Sequence, residues 1–477
     1  MERHLRTLAP DPPARVHAPY RTARIIFGCV VIALLYHFFM GSNVIRVLTG
    51  GEAPNLRFSP AGILMLFAAL YALIKGPLSF HALCRRWPGL VIYFCAIPVF
   101  MIYTVLFNGF SGAAFYFDSF WAPAFMAIAM KYLSPRQQRV IARLLLSIVV
   151  LNIVFGLVES ATRDNIFPFV NDSALDAKEI ERTLASVEDF RANAFYSHPL
   201  TASLVTAMGL FMAFAMRLSA RTMATVFVLI FLGLLAFGGR TALVIAGAGA
   251  CLTGISIVLG GLLRRTLKPG TIGYIMLAVL VMPLLLGYVI TQTSIAERIV
   301  DTFYMDDSAE VRVIQWQVLG YLDLKNWLFG VPMQDLLALK YQVGLHDAID
   351  IENCWLLIFL NQGAIGFVAF LVVLGVFLVH IARYPGGLYA WGLMLTGLII
   401  DSGSNSLGVR SSDLVVETAM LMALAGFRHY QPAVRMRLAV PRQSVLLRPD
   451  ASRLLAPRPV PALRGLSVRP LLRAELR

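Results

Sequence analysis

The chain has 477 residues, of which 58% are hydrophobic and 14% charged, and its mean hydropathy is +0.72. That composition excludes a soluble globular domain. The formal net charge of +14 does not point to nucleic acid, because it sits mainly in short loops between apolar stretches and after Phe427, where eleven arginines occur without a lysine.

Six charge-free stretches, Ile25–Ile45, Trp87–Phe117, Ala192–Met216, Thr241–Leu263, Pro269–Ala296 and Asn353–Ala382, reach or exceed the ~20 residues that cross a bilayer as a helix. Spans are expected near 25–41, 58–74, 88–107, 113–130, 144–161, 199–216, 222–238, 241–263, 271–290, 364–381, 389–407 and 413–427. The expected fold is therefore all-α and polytopic, with about twelve transmembrane helices. The first span follows an Arg-rich leader but has no small-residue cleavage site, so it reads as a retained anchor. Residues 1–24 form a cytoplasmic N-terminal tail, 25–427 the membrane domain, and 428–477 an Arg/Pro-rich tail expected to be disordered and cytoplasmic.

Orientation comes from the positive-inside bias. With the N-terminus inside, 29 of the 41 lysines and arginines fall in cytoplasmic segments. Seventeen of the 27 acids fall in two long loops, 162–198 and 291–353, which this orientation places outside. A cell inner membrane with periplasmic loops follows. The five cysteines lie in or beside spans without the spacing of a disulfide or zinc site and read as packing residues. Gly247, Ala250, Cys251 and Gly254 read as small residues for close helix packing. No Walker or dinucleotide motif occurs.

Charged residues near the membrane gather at the outer helix ends: Asp118, Glu159, Arg191, Arg240, Asp401, Arg410, Asp413 and Glu417. Charges cost little at hydrated helix ends. Arg240 stands out, because Gly238–Ala242 is the whole link between two apolar spans, and a permanently charged planar fork there suits a phosphate. Arg191 through His198 leads into a helix that Pro199 starts, an entrance suited to an anion. His198 alone also reads as a structural hydrogen-bonding residue.

The second loop opens with an amphipathic segment, Val311, Ile314, Val318, Leu319 and Leu322, expected to lie along the membrane surface. It closes on His346, Asp347, Asp350 and Glu352, followed by Asn353, a short apolar run to Leu360, and a break at Asn361-Gln362-Gly363. His346 or a desolvated Glu352 is suited to act as a general base. The same four ionisable residues also read as a solvated acidic turn, or as metal ligands of unspecific spacing.

Taken together, Arg191…Phe195-Tyr196-Ser197-His198-Pro199, Gly239-Arg240-Thr241-Ala242, Arg312…Trp316…Asn326-Trp327-Leu328-Phe329-Gly330 and Asn353…Leu356…Asn361-Gln362-Gly363 resemble the bacterial O-antigen polymerase and ligase superfamily, including Wzy-type exopolysaccharide polymerases. The resemblance covers roughly residues 180–380. It implies a GT-C-like helical glycosyltransferase that transfers an oligosaccharide from undecaprenyl pyrophosphate to an acceptor hydroxyl without metal or other cofactor. Relatives commonly carry His directly before the Asn that ends the second loop, where this chain has Glu352.

On that resemblance, Arg191, Arg240 and Arg312 would hold the pyrophosphate, with Arg240 stabilising the charge of the departing group. His346 or Glu352 would take the acceptor proton, while His198, Asn353, Asp118, Asp401 and Arg410 would bind substrate. The implied partners are the lipid-linked oligosaccharide, other polysaccharide assembly and export proteins, and membrane lipids. A ligase acting on a lipid acceptor, a transporter of lipid-linked glycans, and a non-catalytic component of a synthesis complex are the rival readings.

Overall fold

The apolar stretches form helices, and no strand occurs among the described residues. The physical reason is that a segment in lipid must pair its backbone N–H and C=O groups internally. The computed structural model describes residues 20–39, 58–76, 80–108, 110–166, 190–196, 198–216, 218–263, 314–344, 351, 353–402 and 413–427. All of them belong to the unit Met1–Gln431. The tail expected to be disordered and the span expected at 271–290 lie outside the described residues.

In chain order the helices are α1 (Tyr20–Phe39), α2 (Pro60–Lys75), α3 (Phe80–Arg86), α4 (Pro88–Asn108) and α5 (Phe110–Tyr116), which continues through a π-helical turn, Phe117–Trp121, into α6 (Ala122–Lys131). Then come α7 (Pro135–Thr162), α8 (Pro199–Met216), α9 (Ala220–Ala236) and α10 (Arg240–Leu263). A 3₁₀ turn, Trp316–Tyr321, leads to α11 (Leu324–Phe329), α12 (Met333–Gln342), α13 (Cys354–Arg383), α14 (Leu388–Ser402) and α15 (Asp413–Leu424).

Among the described residues, six stretches are long and apolar enough to cross a membrane: Arg21–Phe39, Pro88–Leu106, Gly112–Lys131, Pro135–Thr162, Pro199–Met216 and Cys354–Arg383. The chain is a helical membrane protein.

Every residue of α6 and of α15 is buried, as expected for helices that are apolar on every side apart from Lys131 in the first and Asp413 and Glu417 in the second. These two pack against each other, and α7, α8, α13 and α14 close around α15. The flanking helices expose apolar side chains, among them Ile102 and Leu106 of α4 and Val368 and Val372 of α13. In a membrane protein such exposure faces lipid.

Two expectations change. The span expected at 144–161 belongs to a helix that begins at Pro135, because Ser134 and Gln137 form a capping box and Pro135 takes the first helical position. Arg136, Arg139 and Arg143 therefore lie on that helix and not in a loop. In α10, no described residue lies within 4 Å of a Cβ added at Gly247 or Gly254, and Cys251 is exposed among the described residues. Gly249 makes the close approach instead, against the Phe211 ring of α8.

The amphipathic segment, described from Ile314, turns its apolar side inward. Val318 joins Val331, Leu336, Leu339, Ile351, Leu356 and Leu360 in a small second core, with Leu319 and Leu322 packed against it. Trp316 and Tyr321 are exposed. The break at Asn361-Gln362-Gly363 is a kink inside α13, where Gly363 takes φ 65° and ψ 177°. A Cβ there would collide with the backbone of Leu328 and Phe329. The Leu328-Phe329-Gly330 and Asn361-Gln362-Gly363 segments are thus pressed together, and Val331 N–H donates to Leu360 O at 2.6 Å. Gln362 anchors the kink to the bundle by donating to Thr104 Oγ1 at 2.8 Å and Tyr116 OH at 2.7 Å.

Candidate functional site

The site is built on a buried irregular segment. Residues 192–196 are non-helical, yet Ala192, Asn193, Ala194, Phe195 and Tyr196 are all buried. Buried backbone without regular structure needs partners from elsewhere, and two side chains of α7 supply them. Glu159, 0% exposed, accepts from the N–H groups of Asn193 and Ala194 at 2.8 Å each and of Ile166 at 2.9 Å. Asn152, two turns earlier, accepts from Phe195 N–H at 3.1 Å.

These bonds hold Ala194 at φ 49°, a left-handed conformation that a residue with a Cβ seldom adopts. Glu159, read from sequence as a charge at a hydrated helix end, is a wholly buried scaffold.

The same segment brings both arginines to one corner. Ala192 N–H donates to Ala236 O at 3.2 Å, fastening the segment to the end of α9. The Arg191 side chain passes Gly238, whose added Cβ would lie 3.5 Å from Arg191 Cγ. Arg240, half-buried, opens α10 two residues later, and its N–H donates to Gly238 O. Gly239 packs directly on Ser203 in the first turn of α8. The corner therefore combines two guanidinium-bearing residues with the starts of α8 and α10, where backbone N–H groups carry positive partial charge.

His198 precedes α8. Its Nδ1 accepts from Leu200 N–H at 3.2 Å, which requires that nitrogen to be unprotonated. Although the residue as a whole is exposed, the protein packed around the ring and, second, the Arg191 guanidinium push its imidazole down to about 4. His198 is thus neutral at physiological pH and spends one nitrogen on the helix start.

Next to the segment lie three acids. Asp401, Asp413 and Glu417 are 1%, 4% and 2% exposed and lie within electrostatic reach of one another, with Tyr196 in reach of Asp413. Among the described residues, Asp401 Oδ1, Glu417 Oε1 and the Tyr196 hydroxyl have no hydrogen-bond partner. Gly397 leaves the room that the Glu417 carboxyl occupies.

The end of the second loop arrives at the same place. Asn353 caps α13 by accepting from Leu356 N–H at 3.0 Å, and the thiol of Cys354 donates to Asp401 O at 3.4 Å. Asn353, expected to bind substrate, spends its side-chain oxygen on this cap. Cys354, expected to be inert packing, is the link that docks the loop end on α14.

Cys354 touches Asp401, Asp401 and Tyr196 lie within electrostatic reach of Asp413, and Arg191 lies against Gly238 and within electrostatic reach of His198. Asp118 stands apart from them. Its two carboxylate oxygens lie 3.1 Å from Ser59 N–H, over Gly62, tying the π-helical turn to the start of α2. Asp118, expected to bind substrate, accepts from Ser59 N–H in this tie. His346, Glu352, Arg312 and Arg410, and with them the candidate base, lie outside the described residues. Among the described residues, no three His, Cys, Asp or Glu side chains come together to hold a metal ion.

Sequence reading named Asp413 and Glu417 as helix-end charges without assigning them to the site. Their signal was an i, i+4 acidic pair in an otherwise apolar helix. Asn152 carried a similar signal as a lone polar side chain in mid-span. A scan against models of known protein families and a search of curated proteins find no match to this chain.

Proposed function

We propose that the protein polymerises undecaprenyl-pyrophosphate-linked oligosaccharide repeats into a surface or exopolysaccharide at the periplasmic face of the inner membrane, as a GT-C-like glycosyltransferase with twelve spans and both termini in the cytoplasm. The observation that carries this reading is the corner where Arg191 and the Gly238-Gly239-Arg240 turn meet beside the start of α8. Two permanently charged planar forks and helix N-termini suit a pyrophosphate.

In this reading the arginines hold the pyrophosphate and stabilise its charge as the glycosidic bond breaks. A base from the end of the second loop, His346 or Glu352, takes the proton of the acceptor hydroxyl. The cluster of Asp401, Asp413, Glu417 and Tyr196 accepts hydrogen bonds from sugar hydroxyls. His198, neutral and bound to Leu200 N–H, orients the entrance without supplying a charge. The remaining partners are membrane lipids and the proteins that assemble and export the polymer.

Reconstitution tests it. Proteoliposomes given a lipid-linked single repeat should yield a ladder of lipid-linked oligomers. Arg240→Lys, which keeps the charge and loses the fork, should shorten the ladder to the first rung with normal insertion. Conversion of preformed long lipid-linked polymer to glycolipid, with no ladder, would make the protein a ligase. Movement of the repeat across the bilayer without lengthening would make it a transporter.

A further inference from the structure

Val318, Leu319 and Leu322, expected to meet the membrane surface, turn instead into the small second core. That leaves a different set of apolar side chains outside. Among the described residues, Trp316, Tyr321, Leu324, Leu328 and Phe329 are exposed, Leu324 by 76%. Tyr321, Leu324 and Leu328 recur at spacings of three and four, which puts them on one side of the 3₁₀ turn and α11. Trp and Tyr join an apolar ring to one polar group, the composition that gathers where a membrane meets water.

The depth of this face follows from the helices that hold it. α11 packs against α13, where Gly363 meets the backbone of Leu328 and Phe329. From Gly363 to Arg383, α13 measures about 30 Å, roughly the thickness of the hydrocarbon core, and its ionisable residues, His380 and Arg383, lie in the last turn. A second count comes from α4. Gly89, near its start, lies against His380, and Tyr103, about 21 Å further along the helix, donates its hydroxyl proton to Phe329 O. Both counts put α11 near the far boundary of the hydrocarbon core.

The neighbours at that level are apolar on the outside as well. Ile102 and Leu106 of α4 and Ile365 and Val368 of α13 are exposed among the described residues, which continues the lipid-facing surface of the bundle up to α11. Aromatic contact links the two. The Trp327 ring stands edge-on to Phe359, 5.1 Å between centroids, and Phe359 stands edge-on to Phe367 at 5.7 Å. The polar groups of α11 bond within the loop: Trp327 Nε1 donates to Leu319 O at 3.2 Å, and Asp323 accepts from Asn326 N–H at 2.6 Å. Exposed Lys325 has a stem long enough to carry its charge to the headgroups.

We propose that α11 and the 3₁₀ turn before it form an interfacial element, with Tyr321, Leu324, Leu328 and Phe329 set in phospholipid at the headgroup and upper acyl level. The partner is the bilayer itself, and the inference does not depend on the polymerase reading. Lipid contact on one side, and the press of Leu328 on Gly363 on the other, fix the depth of this part of the second loop.

Photocrosslinking tests it, with p-benzoylphenylalanine placed at Tyr321 or Leu324 of the full-length protein in vesicles of phosphatidylethanolamine and phosphatidylglycerol. Both positions are exposed, so the bulky side chain does not disturb a core. Leu106, on the exposed side of α4, serves as the lipid-facing reference. After irradiation, mass spectrometry of tryptic peptides should show phospholipid adducts at Tyr321 and Leu324 in yields like that at Leu106. Adducts to residues 291–313 or 345–350 would mean that the chain itself covers the face, and adducts to a second copy would make it a subunit interface. Either result, or lipid adducts at Leu106 alone, would overturn the proposal.

Discussion

At one end of α7, Glu159 is buried under backbone N–H groups; near the other, Lys131 is buried under two aromatic rings. The helix between them has 28 residues, a length of roughly 40 Å. The Glu159 end surrounds its buried carboxylate with irregular backbone, two arginines and three further acids. The Lys131 end has regular helix termini. A buried charge satisfied by backbone fixes the shape of a segment, as at Ala194, whereas Lys131, set against two ring faces, sits among regular helix ends. That difference places the strained backbone, with Ala194 at φ 49°, at the Glu159 end.

The largest expected effect breaks the Glu159 side. Glu159→Ala orphans two buried donors, the N–H groups of Asn193 and Ala194, each costing about 1–3 kcal/mol, and releases the partly exposed N–H of Ile166. We expect loss of the folded protein, or a large drop in its melting temperature in detergent. Glu159→Gln, whose amide oxygen still accepts, should lie between that variant and wild type. A melting temperature for Glu159→Ala equal to that of wild type would show that the 192–196 segment holds itself.

Next is Gly363→Ala, which forces a Cβ into the Leu328 backbone at a positive φ. The strain alone is about 1–3 kcal/mol. Limited proteolysis should then cut within 314–344 while the membrane helices stay protected; unchanged protection there would show that the kink does not hold the second loop.

The smallest expected effect concerns His198. Its folded imidazole is pushed to about 4, below the ordinary ~6.5. As pH falls through ~6.5 the unfolded chain takes up a proton that the folded protein refuses until about 4, so stability declines with falling pH across that window and levels off below it. Subtracting the His198→Gln melting profile from that of wild type between these limits should reveal the slope. A difference that is flat with pH would contradict it.

How much was legible in the sequence depended on the range of each interaction. Lipid forces local pairing, so the helices could be read from apolar runs, and the kink at Gly363 from the Asn-Gln-Gly break. The start of α7 is written in Ser134-Pro135-Arg136-Gln137, although the apolar run begins later. The partners of Glu159 were not legible, since two of the three N–H groups lie more than thirty residues away. The Arg191 and Gly238-Gly239-Arg240 segments were singled out separately as short motifs; their meeting depends on the Ala192 to Ala236 bond, which no local pattern announces. The tie of Asp118 to Ser59 was not legible either, since the two residues lie 59 positions apart.

The central claim is that the corner at Arg191 and Arg240 handles the pyrophosphate of a growing lipid-linked glycan. The most direct measurement is the size and lipid attachment of glycan intermediates in a deletion strain complemented with wild type, Arg240→Ala or Arg191→Ala, with membrane levels of each variant matched. The account predicts long polymer with wild type and single lipid-linked repeats, already outside the cytoplasm, with either variant. Wild-type chain lengths in both variants would contradict it.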